Sequence, residues 1–498
     1  MLTENMETRS DIVESFQQLS KQFSNQLAIG NHKETLSFAE LNERVLFFRK
    51  QLRSLLSDSS TAIIAFALKN GPSALAIELA IWAEGHTALS LPDKPTCNEA
   101  EGYLSAVTPS LLILQSKEQT QWLQAASNIK GIGILLEEGE VLNSPNFGDI
   151  DSVHFDQDIL QVQFTSGSSG TPKALAFSPQ AVTAGILNTQ EWYQEFPSDP
   201  AFSILPQYHA MGRALVFECL WSGRGLLTSD SMAFGEHKKS IAAHNCGLIL
   251  SNPSYIRFGL QLKLWKSLSS IHRFILGTAP VEPELPVQIR EQLPQAHLDI
   301  RYGVSEAFGA LTRLSLPANS DLHSTGHVGA PLPLVEISTR HNEGSSPVLA
   351  SSKALASFAI EANTIKPITV QDGFIETGDL GEYTKAKQLY LHGRSNVFLK
   401  HRGYRIDPVE IETSILSNTA VLETVVLGIP NKEVGEKIIA LVEGNTLNTN
   451  ELLQQCKEKL SGHKVPSKII EVAKIPRNAS DKLDRKAALH YLLSNYSF

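Results

Sequence analysis

The chain is expected to fold as an α/β protein, with a large N-terminal unit of parallel or mixed sheets covered by helices and a small α+β C-terminal unit. Three observations predict this. Short apolar runs alternate with helix-length segments from residue 61 to about residue 300. At 498 residues the chain can bury more than one core. The sequence also changes character near residues 393–396, where a polar join opens a new run of elements.

Taken in order, residues 10–56 read as helical, with Leu41, Val45 and Leu52 as an apolar stripe and Ser37 and Glu40 placed as a capping box. Residues 61–67 read as a buried strand, 73–84 as a helix and 87–91 as a strand stopped by Pro92. Residues 111–114 and 132–136 continue the alternation. A helix over 178–193 and a strand over 201–206 follow, then strand-and-turn units at 248–253 and 274–280. The turn Gly277-Thr278-Ala279-Pro280 carries the small residues that a close-lying ligand requires. His209 and Met211 stand just past a strand end, where open α/β sheets place ligands; a structural role is the alternative for His209. Beyond the join, Asp407-Pro408 reads as the cap and first residue of a helix over 409–416. Strands are expected at 422–429, 437–442 and 467–472, with a helix over 449–460.

The densest chemical signal is Gln163-Phe164-Thr165-Ser166-Gly167-Ser168-Ser169-Gly170-Thr171-Pro172-Lys173. Glycines let backbone N–H groups turn toward an anion, hydroxyls add donors and Lys173 adds a point charge. The loop suits phosphate oxygens but is not a Walker A loop, because the lysine does not directly follow the second glycine. A flexible surface turn is the plain alternative. A second signal is Arg301-Tyr302-Gly303-Val304-Ser305-Glu306-Ala307, read as strand, tight turn and helix. It matches a nucleophile elbow superficially. That keeps open a serine hydrolase using Ser305, with Asp379 as the acid and His392 or His401 as the base.

Composition narrows the choice. A net charge of −9 argues against a general nucleic-acid binder. From Arg394 onward 15 Lys+Arg stand against 12 Asp+Glu, a net of +3 that suits a polyanionic ligand or a solvated surface. The four cysteines, Cys97, Cys219, Cys246 and Cys456, are scattered, without metal-ligand spacing, as in a reducing compartment. The most apolar stretch, 74–89, contains Glu78 and Glu84 and is too short to span a bilayer, so no membrane span is expected. The first residues lack a basic and apolar leader, and a cytoplasmic location is expected.

Seven motifs in order resemble the adenylate-forming superfamily of acyl- and aryl-CoA synthetases, adenylation domains and luciferases. They are the 164–173 loop, Leu205 to Gly212, Tyr302 to Glu306, Thr377-Gly378-Asp379, Gly393-Arg394, Arg402-Gly403-Tyr404-Arg405-Ile406, and Lys482 to Arg485. Ser37-Phe38-Ala39-Glu40-Leu41 is similar to the family's T-Y-x-E-L. The resemblance implies ATP-dependent activation of a carboxylic acid to an acyl-adenylate, with release of pyrophosphate. Transfer to a phosphopantetheine thiol, on CoA or on a carrier protein acting in trans, then releases AMP.

The resemblance also implies site roles. Thr165 to Lys173 would hold the ATP phosphates, and Tyr302 would stack on adenine. Glu306 would bind Mg²⁺. Asp379 would hold the ribose hydroxyls, with Arg394 assisting. Lys482 would bridge substrate carboxylate and α-phosphate as the catalytic lysine, with His209 also at the reacting centre. Gly277, Thr278, Ala279, Gly303 and Ser305 complete the nucleotide site. Residues 1–393 would form the N-terminal domain, 394–396 the hinge at Asn396, and 397–498 a mobile lid. Asn396 stands where many relatives carry Asp or Lys, Asp481 where glycine is usual, and residues 345–359 align poorly. With no acidic residue between Leu205 and Phe217 to hold an α-amino group, a fatty or aromatic acid is expected over an amino acid. A stand-alone amino-acid adenylation enzyme and a non-catalytic nucleotide-binding relative remain as alternatives.

Overall fold

The computed structural model describes residues 6–56, 61–146, 153–165, 173–195, 198–231, 233–340, 345–394, 399–401, 404–431, 434–445, 447–478 and 483–496. Among these residues the chain forms three sheets of nine, thirteen and five strands. The nine-stranded sheet has a parallel centre, Gln161–Thr165, Thr87–Ser90, Ile63–Ala67, Leu111–Leu114 and Gly133–Leu136 in spatial order. In the thirteen-stranded sheet His297–Tyr302, Arg273–Leu276, Leu248–Ser251, Ala201–Ser203, Leu226–Thr228 and Leu27–Gly30 run parallel, and the strands beyond His297–Tyr302 run antiparallel. Sheets of this mixed kind are what the alternating elements predict.

Helices fill the space between the two large sheets. One core joins Ile64 and Leu111 of the first sheet to Leu248 and Ile275 of the second through Trp82 and Phe217. The two helices carrying those aromatics, Pro72–Ala83 and Ala210–Trp221, are apolar nearly all round and buried on nearly every face, as a helix between two sheets must be. One charged exception on each faces the other. Glu78 lies 3.5 Å from Nε of Arg213, both fully buried. Burial pushes the Glu78 carboxyl up to about 7 despite the guanidinium beside it.

Two local expectations are corrected. The helix expected over 10–56 is two helices, Arg9–Gln22 and Phe38–Leu56, separated by a strand pair, Leu27–Gly30 and Thr35–Ser37. The side chain of Asn31 accepts from the backbone N–H groups of Lys33 and Glu34 and closes the turn between those strands. Buried Ala28 and Ile29 then lie on a strand held between Leu226–Thr228 and the edge strand Thr35–Ser37 of the thirteen-stranded sheet. The capping box forms as expected, with Ser37 and Glu40 bonding reciprocally. The helix expected after Tyr302 is absent. There the chain turns and returns as the antiparallel strand Thr312–Leu316.

The third sheet is built from Leu399–His401, Tyr404–Ile406, Val421–Asn431, Gly435–Gly444 and Lys468–Glu471. It carries its own apolar clusters around Ile411, Ile438 and Leu452 on one face and Val425, Leu441 and Leu492 on the other. Helix Pro408–Leu416 starts as expected, with the Asp407 carboxylate accepting from the Val409 N–H at 2.9 Å.

Candidate active site

A cavity of about 380 Å³ lies across the carboxyl ends of the parallel strands of the thirteen-stranded sheet. It includes the ends of Ala201–Ser203 and Leu248–Ser251, where the strand order reverses because Leu226–Thr228 lies on the other side of Ala201–Ser203, the position at which open sheets of this kind bind ligands. Four strand ends supply its walls: Leu205, Pro206 and His209 to Gly212 after Ala201–Ser203, Asn252 after Leu248–Ser251, Thr278 to Val281 after Arg273–Leu276, and Gly303 to Ser305 after His297–Tyr302.

The packing around these turns explains their small residues. A Cβ on Gly212 would sit 2.0 Å from the carbonyl of Pro206, and one on Gly303 would sit 2.8 Å from that of Gly309. Thr278 has φ of 69°, a left-handed conformation that a β-branched residue adopts only under constraint from its surroundings.

Tyr302 and Asp379, separated by 77 positions, meet at the cavity wall. The Tyr302 hydroxyl donates to Oδ2 of Asp379 at 2.8 Å, and both side chains are buried. Asp379 lies on strand Ile375–Tyr383, opposite Arg394 on Leu389–Arg394. The Arg394 side chain lies outside the described residues.

The phosphate-loop reading falls mainly on residues 166–172, which lie outside the described residues. Its flanks are described. Thr165 and Lys173 pair across an antiparallel hairpin, and Phe164 lines the cavity. The poorly aligning segment turns out to brace this region. The N–H of Ser357 donates to the carbonyl of Ala176, the N–H of Ala356 to the carbonyl of Glu306, and the N–H of Phe308 to the carbonyl of Ala354. The segment therefore ties the hairpin to the turn that carries Glu306.

Of the expected residues, His209, Thr278, Ala279, Tyr302, Gly303, Ser305 and Asp379 line the cavity together. Gly277 packs its backbone against Met211 at the edge, and Glu306, Thr165 and Lys173 border the lining without forming part of it. Lys482 and Asn396 lie outside the described residues. Arg485, three positions after Lys482, does line the cavity, held by Glu412 and the carbonyl of Val426. Asp407 lines it too, and burial pushes its carboxyl up to about 6.

Sequence reasoning missed one buried ion pair. Arg301 lines the cavity beside Tyr302, and Glu218 receives its guanidinium in two hydrogen bonds of 2.7 and 2.6 Å. Glu218 stands one position past the Leu205–Phe217 stretch, which holds no acidic residue. Glu218 is already engaged by Arg301 and by the Tyr193 hydroxyl at 3.2 Å, and so does not stand as a free partner for an amino group.

The elbow reading of Ser305 loses its support. An elbow needs strand, turn and helix, whereas Tyr302 leads to an antiparallel strand. Asp379 accepts from Tyr302, and Nδ1 of His401 bonds the carbonyl of Glu436, so these two groups are engaged away from Ser305.

The fold and the strand-end site define an adenylate-forming α/β enzyme. The chain belongs to the AMP-binding enzyme family, whose pattern covers residues 16–349, with the AMP-binding enzyme C-terminal domain over 410–482. It is a ligase that activates a carboxylic acid with ATP and passes the acyl group to a thiol.

Its relatives are distant. It is 22% identical to a mitochondrial malonate–CoA ligase of Xenopus laevis over 94% of this chain and 90% of that one. It is 24% identical to a 2-succinylbenzoate–CoA ligase of Bacillus subtilis over 92% and 94%. In structure it is similar to ATP-bound MatB of Rhodopseudomonas palustris, with a TM-score of 0.78 and 21% identity over 96% and 98% of the two chains. It is equally similar to the O-succinylbenzoate CoA synthetase of Bacillus subtilis in complex with ATP and magnesium, at a TM-score of 0.79 and 21% identity over 95% and 99%.

Proposed function

We propose that the chain is an AMP-forming acid–CoA ligase for a small, largely apolar carboxylic acid. The observation that carries this reading is the Tyr302–Asp379 pair at the strand-end cavity, which is also lined by the apolar Leu205, Met211, Val281 and Val304. The first feature suits a nucleoside, with an aromatic face and a carboxylate for hydroxyl groups. The second suits an apolar acyl group, in keeping with a fatty or aromatic acid.

In this reading Tyr302 and Gly277-Thr278-Ala279 hold the base, and Asp379 with Arg394 holds the ribose. Residues 165–173 hold the phosphates, while Gly303 and Ser305 shape the turn between nucleotide and acid. Mg²⁺, when bound, neutralises phosphate charge. Among the described residues no cluster of three or more His, Cys, Asp or Glu is arranged for a metal. A single carboxylate, Glu306, fits an ion that arrives on the nucleotide and keeps phosphate and water ligands. Two anions must meet in the first step, so catalysis is mostly positioning and charge neutralisation. Lys482 supplies the positive charge between them, and His209 orients the acid end.

The second step needs a thiol at the same carbonyl. Residues 397–498 act as a lid that turns about 394–396 and withdraws Lys482. CoA is the proposed acceptor, in line with relatives that are named as CoA ligases. The motif Arg402-Gly403-Tyr404-Arg405-Ile406 favours a carrier protein as the second reading. The cytoplasm is the proposed compartment, supported by four free cysteines. Among the described residues no helix is long and apolar enough to cross a membrane.

Product analysis tests the acceptor. With ATP, Mg²⁺, CoA and the right acid, AMP and acyl-CoA should appear in equal amounts. Thioester formed only on a pantetheinylated carrier would select the second reading, and thioester on neither would overturn both.

A further inference from the structure

The buried pair behind the cavity has a consequence for which acids enter. Arg301 lines the cavity, and its side chain is only 4% exposed. Glu218, on helix Ala210–Trp221, is 1% exposed and meets both terminal nitrogens of Arg301. A Cβ built on cavity-lining Gly309 would lie 3.7 Å from Oε1 of Glu218, so little but that glycine separates the carboxylate from the cavity. Trp192 stacks over the guanidinium at 5.2 Å.

This end of the pocket therefore holds one positive and one negative charge, already matched in a bidentate geometry. A buried guanidinium left to itself attracts a carboxylate. Here that position is filled by the chain's own side chain. A ligand with a second carboxylate would bring a second anion beside Glu218, in a place that water does not screen. An acid whose far end is neutral meets no such opposition.

We propose that Glu218, by neutralising Arg301, sets the charge selectivity of the acid pocket, so that monocarboxylic acids are activated and dicarboxylic acids of matched length are refused. The inference rests on the acid-activation reading above. It separates this chain from the relatives named for malonate and 2-succinylbenzoate.

The test compares kcat/KM in acid-dependent pyrophosphate exchange for matched pairs, propanoate with malonate and butanoate with succinate. The wild-type protein should favour the monoacid by about 100-fold or more. Glu218→Gln keeps the shape and removes the charge, and should raise the diacid-to-monoacid ratio at least about tenfold. The double replacement Glu218→Leu with Arg301→Met removes both charges and should leave the diacid refused. If Glu218→Gln does not fold, diacid activation by the double variant would by itself overturn the proposal, and that variant should fold because well-packed apolar residues replace buried ion pairs with little loss.

A wild-type preference for the diacid would overturn the proposal. So would an unchanged ratio in folded Glu218→Gln, or a diacid gain in the double variant equal to that of the single one. Exchange with no acid at all would instead remove the acid-activation reading, and this inference with it.

Discussion

Tyr302 and Glu78 show how single residues report on this site and its support. Tyr302→Phe removes one hydrogen bond to Asp379. It should lower kcat/KM for ATP about fivefold to tenfold, the scale of one such bond, with a melting temperature close to wild type. Steady-state kinetics at varied ATP and a thermal melt check both halves.

Glu78 makes a pH-dependent contribution to stability. Its carboxyl holds its proton more tightly in the folded chain, at about 7, than in the unfolded one. The stabilising contribution of that proton is fully present below the ordinary carboxylate range near 4.5 and is lost as pH rises through 7. The stability of wild type relative to Glu78→Gln should therefore fall between pH 5 and 8, by at most about 3 kcal/mol. Denaturant titrations of the two proteins at both pH values measure it. The turn after Tyr302 gives a further test: Glu306→Gln should cripple Mg²⁺-dependent exchange, whereas Ser305→Ala should retain much of it.

The residues that the sequence made legible are those in contiguous motifs. Thr278 and Tyr302 could be singled out because glycines and small residues beside them mark turns at strand ends, and Asp379 because it stands in the Thr377-Gly378-Asp379 motif, although it lies inside a strand. Arg301 and Glu218 were not legible, because neither stands in a special local pattern and 83 positions separate them. Only packing of helix Ala210–Trp221 against strand His297–Tyr302 brings them together.

At the scale of elements, buried strands and all-apolar helices were legible because continuous burial leaves continuous apolar runs. The 27–37 strand pair was hidden, since Leu27, Ala28 and Ile29 look equally at home in a helix. Its partner on the sheet, Leu226–Thr228, lies far along the chain. The turn after Tyr302 was misread for a related reason. Glu306 accepts a backbone hydrogen bond from Ala356 and Phe308 donates one to Ala354, and no local signal in the sequence announces that distant brace. The join between the large sheets and the third sheet carries its own prediction. Asn396→Pro fixes φ and removes a donor. It should slow the two half-reactions unequally, because Lys482 and a pantetheine arm cannot occupy the same side of the carbonyl together. Single-turnover adenylation and thioester formation, measured separately in a folded variant, check this; equal losses would place the hinge elsewhere.

On the proposed reading, the large sheets hold nucleotide and acid at the strand ends, and the C-terminal unit delivers Lys482 and then yields to the thiol. The most direct test is exchange of radiolabelled pyrophosphate into ATP, run across a panel of carboxylic acids with wild type and Lys482→Ala. The account predicts exchange that requires both Mg²⁺ and a particular acid, and that falls at least about 100-fold in Lys482→Ala. It also predicts that Lys482→Ala still forms thioester from supplied acyl-adenylate. Undiminished exchange in Lys482→Ala, or ester cleavage without ATP accompanied by fluorophosphonate labelling of Ser305, would contradict it.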